Sequence, residues 1–156
     1  MKRFLIGFLA LSALFSACSR EMKDPSIQTV SGAVLESLDS APTLTLTDDD
    51  FAEVNLTCDE ELDECRIYLG EAGEIGILRL DEDGNAAAVE QAVKEYLDRE
   101  SRSTTSLLEL YPSEVLEERL AHYQGATVVH RGRYVCYFAL SREENEKAKK
   151  AFLDAI

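Results

Sequence analysis

Positive charge is scarce in this chain. Sixteen Lys and Arg stand against 30 Asp and Glu among 156 residues, a formal net charge of −14. A surface that acidic is repelled by phosphate backbones and by anionic headgroups, which argues against nucleic acid as a partner and against direct adsorption to a membrane. Histidine (2) and cysteine (4) are also sparse, and no CxxC pair occurs. Structural zinc wants four closely spaced ligands, so no metal centre is expected, and no motif calls for a cofactor. GxSxG is missing as well, which removes the serine elbow of acyl transfer. No apolar run reaches the roughly 20 residues of a spanning helix. What the chain does have is the composition of a folded domain, 46% hydrophobic and 29% charged. A body of about 130 residues buries roughly two-thirds of its unfolded surface, enough for a core without staples.

The first 18 residues have a clear order. Lys2 and Arg3 precede an apolar run from Phe4 to Phe15, which ends in Ser16 and Ala17 before Cys18. Cations, about a dozen apolar residues and then small residues make an export signal, so residues 1–17 read as a signal peptide. The placement of Cys18 resembles the lipobox of bacterial lipoproteins, in which the cysteine thiol is acylated and the chain is cut just before it. Phe15 departs from the aliphatic residue usual at that place. An ordinary secretory signal cleaved after Ala17, leaving a free thiol, is the alternative. Two or three acyl chains would hold the protein at the membrane, whereas one alone is marginal. Residues 18–25 then form the lipidated cysteine and a short tether. Residues 19–24, "SREMKD", reach about 20 Å at ~3.3 Å per residue. The body, residues 26–156, is expected close to the outer, extracytoplasmic face of the cell membrane, with a net charge of −16 once Lys2 and Arg3 are removed.

Along that body the hydrophobic period changes several times. Asp24–Pro25 reads as a helix start, followed by Ile27, Val30, Val34, Leu35 and Leu38 at helical spacing. "SAPTLTLT" breaks the stripe, and Thr47 with Asp50 predicts a short helix around 48–56 presenting Phe51 and Val54. "CRIYLG" and "EIGILRL", separated by "EAG", read as a hairpin. Asn85 is placed to cap a helix carrying Val89, Val93, Tyr96 and Leu97. Pro112–Ser113 opens another with Val115, Leu116, Leu120 and Tyr123. "ATVVHRGRYVCYFALS" predicts a second hairpin turning at Arg131–Gly132. Ser141 and Glu144 form a capping box for a final helix whose inward stripe is Ala148, Ala151, Phe152 and Ala155. Two hairpins with helices between and around them predict an α+β domain: a four-stranded antiparallel sheet with N-terminal helices and a C-terminal helix packed on it. The strand Arg133 to Leu140 is apolar on both faces, which places it centrally or under cover on both sides.

"GEIGILRL", then a long helix, "LYPSEV" and "VVHRGRYVCYFALSREENEKAKKAF" together resemble the domain of unknown function 4358 family. The matching positions are Glu74, Ile75, Tyr111, Pro112, Gly132, Tyr134, Val135 and Phe152. That family consists of small lipoproteins from Gram-positive, mostly anaerobic bacteria, and the resemblance covers most of the chain from about Leu35 onward. It supplies no catalytic residues. It implies a setting beside membrane acyltransferases and secreted esterase-like proteins that decorate envelope polymers.

The chemistry-bearing residues form few constellations. Cys58 and Cys65 bracket "DEELDE". A disulfide between them suits an outward-facing compartment and would contribute about 2.5 kcal/mol in the chain-entropy model. Two free thiols, favoured by an anaerobic host, are the other reading. Cys136 reads as a small buried hydrophobe. "LDEDGN" fails as a calcium loop, because Ala86 and Ala92 occupy the sixth and twelfth places. A Cys–His pairing would need the fold to bring His122 or His130 to Cys136. The hairpin tip is the densest positive spot near the sheet, and His130, Arg131, Arg133, Tyr134 and Tyr137 make a candidate binding face. A solvated turn beside core tyrosines is the competing reading.

These observations lead to the expectation of a membrane-tethered extracytoplasmic lipoprotein. Its domain would be a non-enzymatic interaction or accessory module in a cell-envelope process, holding the membrane through Cys18 and binding an envelope protein or glycan. A small-ligand-binding lipoprotein and an envelope-modifying hydrolase or transferase are the alternatives.

Overall fold

A computed structural model describes residues 24–47, 61–71 and 73–156. The elements run α1 (Ile27–Glu36), β1 (Leu44–Thr47), β2 (Leu62–Gly70), β3 (Gly73–Leu80), α2 (Ala86–Leu110), α3 (Glu114–Gln124), β4 (Thr127–Arg131), β5 (Tyr134–Ala139) and α4 (Arg142–Ala155). The strands form one antiparallel sheet in the order β1-β2-β3-β5-β4. The fold is α+β, with five strands where four were expected. The fifth, β1, comes from "LTLT", whose strict alternation has the period of a strand. It pairs with β2 at the sheet edge, Leu46 opposite Ile67. The helix expected at 48–56 lies outside the described residues.

Helices cover both faces of the sheet. Cys65, Ile67, Leu78, Leu80, Val135, Tyr137 and Ala139 form one core with Val89, Val93, Tyr96 and Leu97 of α2. Tyr68, Ile75, Ile77, Tyr134, Cys136 and Phe138 form the other with α1 and with Ala148 and Phe152 of α4. The period of two along each strand divides the residues between the cores. Every residue of β5 is buried, because this strand lies between β3 and β4 and is covered on both sides, as its apolar run predicts.

The helix starts follow the capping residues, with one shift. Asn85, Ser113 and Ser141 accept from backbone N–H groups at their helix starts, as expected. At α1 the cap is Ser26, which accepts from Thr29 N; Asp24 is drawn away by arginines. Ser141 makes its half of the capping box, but the Glu144 carboxylate instead accepts from Asp39 N and Lys147. The second hairpin turns at Gly132–Arg133, one residue later than predicted. Arg131 still pairs with Tyr134, and Gly132 takes the positive φ, +59°.

One glycine is required by packing. A Cβ on Gly76 would stand 1.9 Å from the Tyr137 ring across the β3–β5 pair. The ring lies in the space the missing side chain leaves, which lets the Tyr137 hydroxyl reach Glu74, two residues along on the same face of β3.

Candidate functional site

On the α2 side of β3 the residues are Glu74, Gly76, Leu78 and Leu80, an apolar row interrupted by one carboxylate. Glu74 is only 4% exposed. Its Oε1 accepts hydrogen bonds from Tyr96 (2.6 Å) and Tyr137, and its Oε2 accepts from Tyr123 at 2.8 Å. The three donors come from α2, β5 and α3, so one carboxylate ties together three elements. Burying an ionised group is tolerated only with such partners. Burial pushes all three phenols well above their ordinary range, and the neighbouring Glu74 charge pushes them further. These tyrosines are therefore fixed donors. Glu100 on α2 feels the same surroundings: burial first, then repulsion from Glu74, raises its carboxyl above the usual range.

A cleft of about 290 Å³ opens beside this cluster, reached through Glu74 and Tyr123. Leu69, Val115 and Ala139 give it apolar walls, Gly70 and Gly73 add backbone without side chains, and Glu71, Glu118, Arg119 and His122 bring charge and polarity. His122 is 8% exposed. Its Nε2 is 3.9 Å from Glu118 Oε1, beyond hydrogen-bonding distance. Burial lowers its pKa more than Glu118 raises it, so the ring is held neutral. Val115, in the cleft wall, is 75% exposed, and Leu110 and Tyr111, where α2 hands over to α3, are 71 and 70% exposed.

The hairpin predicted as a binding face is used differently. Tyr134 and Tyr137 are fully buried, and they lie in the two different cores, on opposite sides of the sheet. They cannot share a surface, because they stand an odd number of residues apart on one strand. Arg133 donates to Leu80 O through Nε (3.0 Å) and Nη2 (2.7 Å) and pairs with Asp24 and Asp63. Arg79 pairs with the same two carboxylates, and Tyr134 donates to Pro25 O. Arg131 donates to Leu153 O near the end of α4. His130 interacts with Gly132 O and stands 3.5 Å from Glu90. This end of the sheet holds the first residues of the domain; only His130 of the five predicted residues is exposed.

Cys136 is fully buried in the α1–α4 core, and burial drives its thiol well above its ordinary value. His122 belongs to α3, and His130 reaches Glu90 of α2, so the sheet separates Cys136 from both imidazoles. No Cys–His pair is assembled. Cys65 is buried on the α2 face of β2, whereas Cys58 and Cys18 lie outside the described residues. "DEDGN" forms the expected strand-to-helix turn, with Gly84 N donating to Asp81 O. Among the described residues no group of His, Cys, Asp and Glu could hold a metal ion, and no helix is long and apolar enough to cross a membrane.

Sequence reading had placed Tyr96 and Tyr123 on apolar helix stripes and Glu74 only among the positions of a family resemblance. The available signal was Glu74 itself, alone among Gly76, Leu78 and Leu80 on an inward face. No family model, curated protein or solved structure matches the chain.

Proposed function

We propose that the chain is an extracytoplasmic lipoprotein, anchored through acylated Cys18, whose domain is a non-enzymatic interaction module serving a cell-envelope process. The resemblance to the domain of unknown function 4358 family belongs to this proposal. The observation that carries it is the clamp at Asp24. Six residues after Cys18, the chain is gripped by Arg79 and Arg133 at the β5 start. A carboxylate shared by two guanidiniums holds the end of a tether in place. Asp24 is kept ionised, its pKa lowered against the cost of burial by both arginines.

The clamp also gives the domain a polarity. Glu74 and Arg79 are five residues apart on β3, about 17 Å at ~3.3 Å per residue. The cleft and the exposed Leu110, Tyr111 and Val115 therefore lie toward the end of the sheet away from the tether. A module anchored by one end and offering an apolar corner at the other is suited to meeting partners in the envelope. The cleft also favours small-ligand binding as a second reading, its size lying near the lower bound of ligand sites, roughly 300 Å³.

Two measurements test this. Cys18→Ser should move the protein out of the membrane fraction or leave it uncleaved, and a variant still processed and membrane-bound would end the anchor reading. A photo-cross-linking residue at Tyr111 should capture discrete envelope partners in cells, while one at Lys150 on α4 should not. Identical adducts from both positions would remove the interaction face.

A further inference from the structure

Glu74 is a buried carboxylate whose hydrogen-bond partners among the described residues are all neutral hydroxyls. No lysine or arginine among the described residues forms an ion pair with it. Buried carboxylates are ordinarily matched by a cation. Here the three tyrosines supply three hydrogen bonds, and a carboxylate has about four lone-pair sites. One acceptor site is left over, on Oε2, the oxygen that takes a single bond, from Tyr123. Glu74 and Tyr123 both line the cleft.

The other polar groups of the cleft point to the same kind of ligand. Three carboxylates, Glu71, Glu74 and Glu118, line it against one cation, Arg119. His122 adds a buried ring with no hydrogen bond to any described residue. Being neutral, it has a nitrogen lone pair to offer a donor and no charge to repel a cation. An ammonium group has three donors and no acceptor, which suits two carboxylates and a neutral imidazole. An anion would meet three negative charges, and a neutral alcohol would leave Glu74 without a counter-charge. Leu69, Val115 and Ala139 provide room for a short alkyl stem.

We infer that the cleft beside Glu74 is a binding site for a protonated alkylamine, whose ammonium is received by Glu74, Glu118 and the His122 ring. This rests on reading the domain as a binding module and is independent of how it is anchored. The same chemistry is presented by a free amine and by a lysine side chain of a partner.

The test is an NMR titration of the full chain in non-ionic detergent, following the amides of Gly70, Gly73, His122 and Tyr123. n-Butylamine, n-butanol and butyrate serve as cationic, neutral and anionic probes of similar size. The site predicts saturating shifts at these four amides with butylammonium, and binding at least about tenfold weaker for the other two probes. Glu74→Gln should weaken the amine by a similar factor. Glu118→Gln, on an exposed rim position, should weaken it severalfold without entering the core, so the test survives if the first variant misfolds. Butanol binding as well as butylamine, or the absence of saturating shifts at the cleft, overturns the inference. So does a folded Glu74→Gln variant with unchanged affinity. An arm with acetyl-Gly-Lys-Gly-amide separates the sources: tighter binding than butylamine identifies a partner's lysine, and binding of butylamine alone identifies a free amine. Membrane fractionation of Cys18→Ser reads the anchor independently, so either proposal can fail without the other.

Discussion

Tyr137→Phe removes one oxygen from the centre of the domain and leaves the ring in place over Gly76. The variant keeps the packing of the aromatic ring, including its tilted contact with Tyr96 at 5.8 Å between centroids. What it loses is one of three hydrogen bonds to a buried carboxylate. Bonds to charged groups contribute about 1.5–3 kcal/mol. Tyr96 still donates to the same oxygen, Oε1, which argues for the lower part of that range, about 2 kcal/mol. A domain of this size has about 5–15 kcal/mol of total stability to lose from, so the change is readily measured by urea unfolding followed by circular dichroism. Tyr111→Phe, on a side chain that is 70% exposed, should change stability by less than about 0.5 kcal/mol. Tyr137→Phe made in a Glu74→Gln background should cost less than it does alone, because the acceptor is then neutral. If Tyr137→Phe matches Tyr111→Phe, or costs the same in both backgrounds, Glu74 is not held as an ionised acceptor and the account of the cluster is wrong.

Gly76→Ala should destabilise more than Tyr137→Phe, by about 3 kcal/mol or more. The new Cβ must displace a buried ring and with it the hydroxyl bound to Glu74; a loss under about 1 kcal/mol in urea unfolding would contradict the packing. Glu100→Gln should stabilise the domain at neutral pH. The folded state raises the Glu100 pKa, so the protonated form is the favoured one, and that contribution is complete below the ordinary value of about 4.5 and lost as pH rises through the folded value. Wild type and variant should accordingly converge at low pH and separate above it, and a constant difference across the range would refute this. Arg133→Ala should leave the sheet intact but speed hydrogen exchange at Ile27–Val30, because Asp24 loses one of its two arginines and Leu80 O loses both side-chain donors; unchanged exchange there would show that the clamp does not hold the start of the domain.

Much of the fold was legible because local signals agreed with the tertiary result. Asn85, Ser113 and Ser141 were readable as caps, and the doubly apolar strand from Arg133 to Leu140 announced cover on both faces. β1 was overlooked because four residues of Thr-Leu alternation are too short to outweigh the break made by Pro42 and the serines before it. The hairpin face was misread for a different reason. Composition shows that Arg131, Arg133, Tyr134 and Tyr137 are near one another in sequence, but pleating sends Tyr134 and Tyr137 to opposite sides, and the arginines are taken by Leu80, Asp24 and Leu153. The Glu74 cluster depends on residues 22, 49 and 63 positions apart in sequence. No spacing rule links such distant residues; only the lone carboxylate on an inward strand face hinted that partners must exist. The same separation explains why Cys136 and the two histidines, all present in sequence, make no site: the sheet stands between them.

The most direct test of the central claim is mass spectrometry of the N-terminal peptide of the protein recovered from cells. The account predicts that Cys18 is the first residue and carries two or three acyl chains. A chain that begins upstream of Cys18, or a Cys18 with an unmodified thiol, would contradict it.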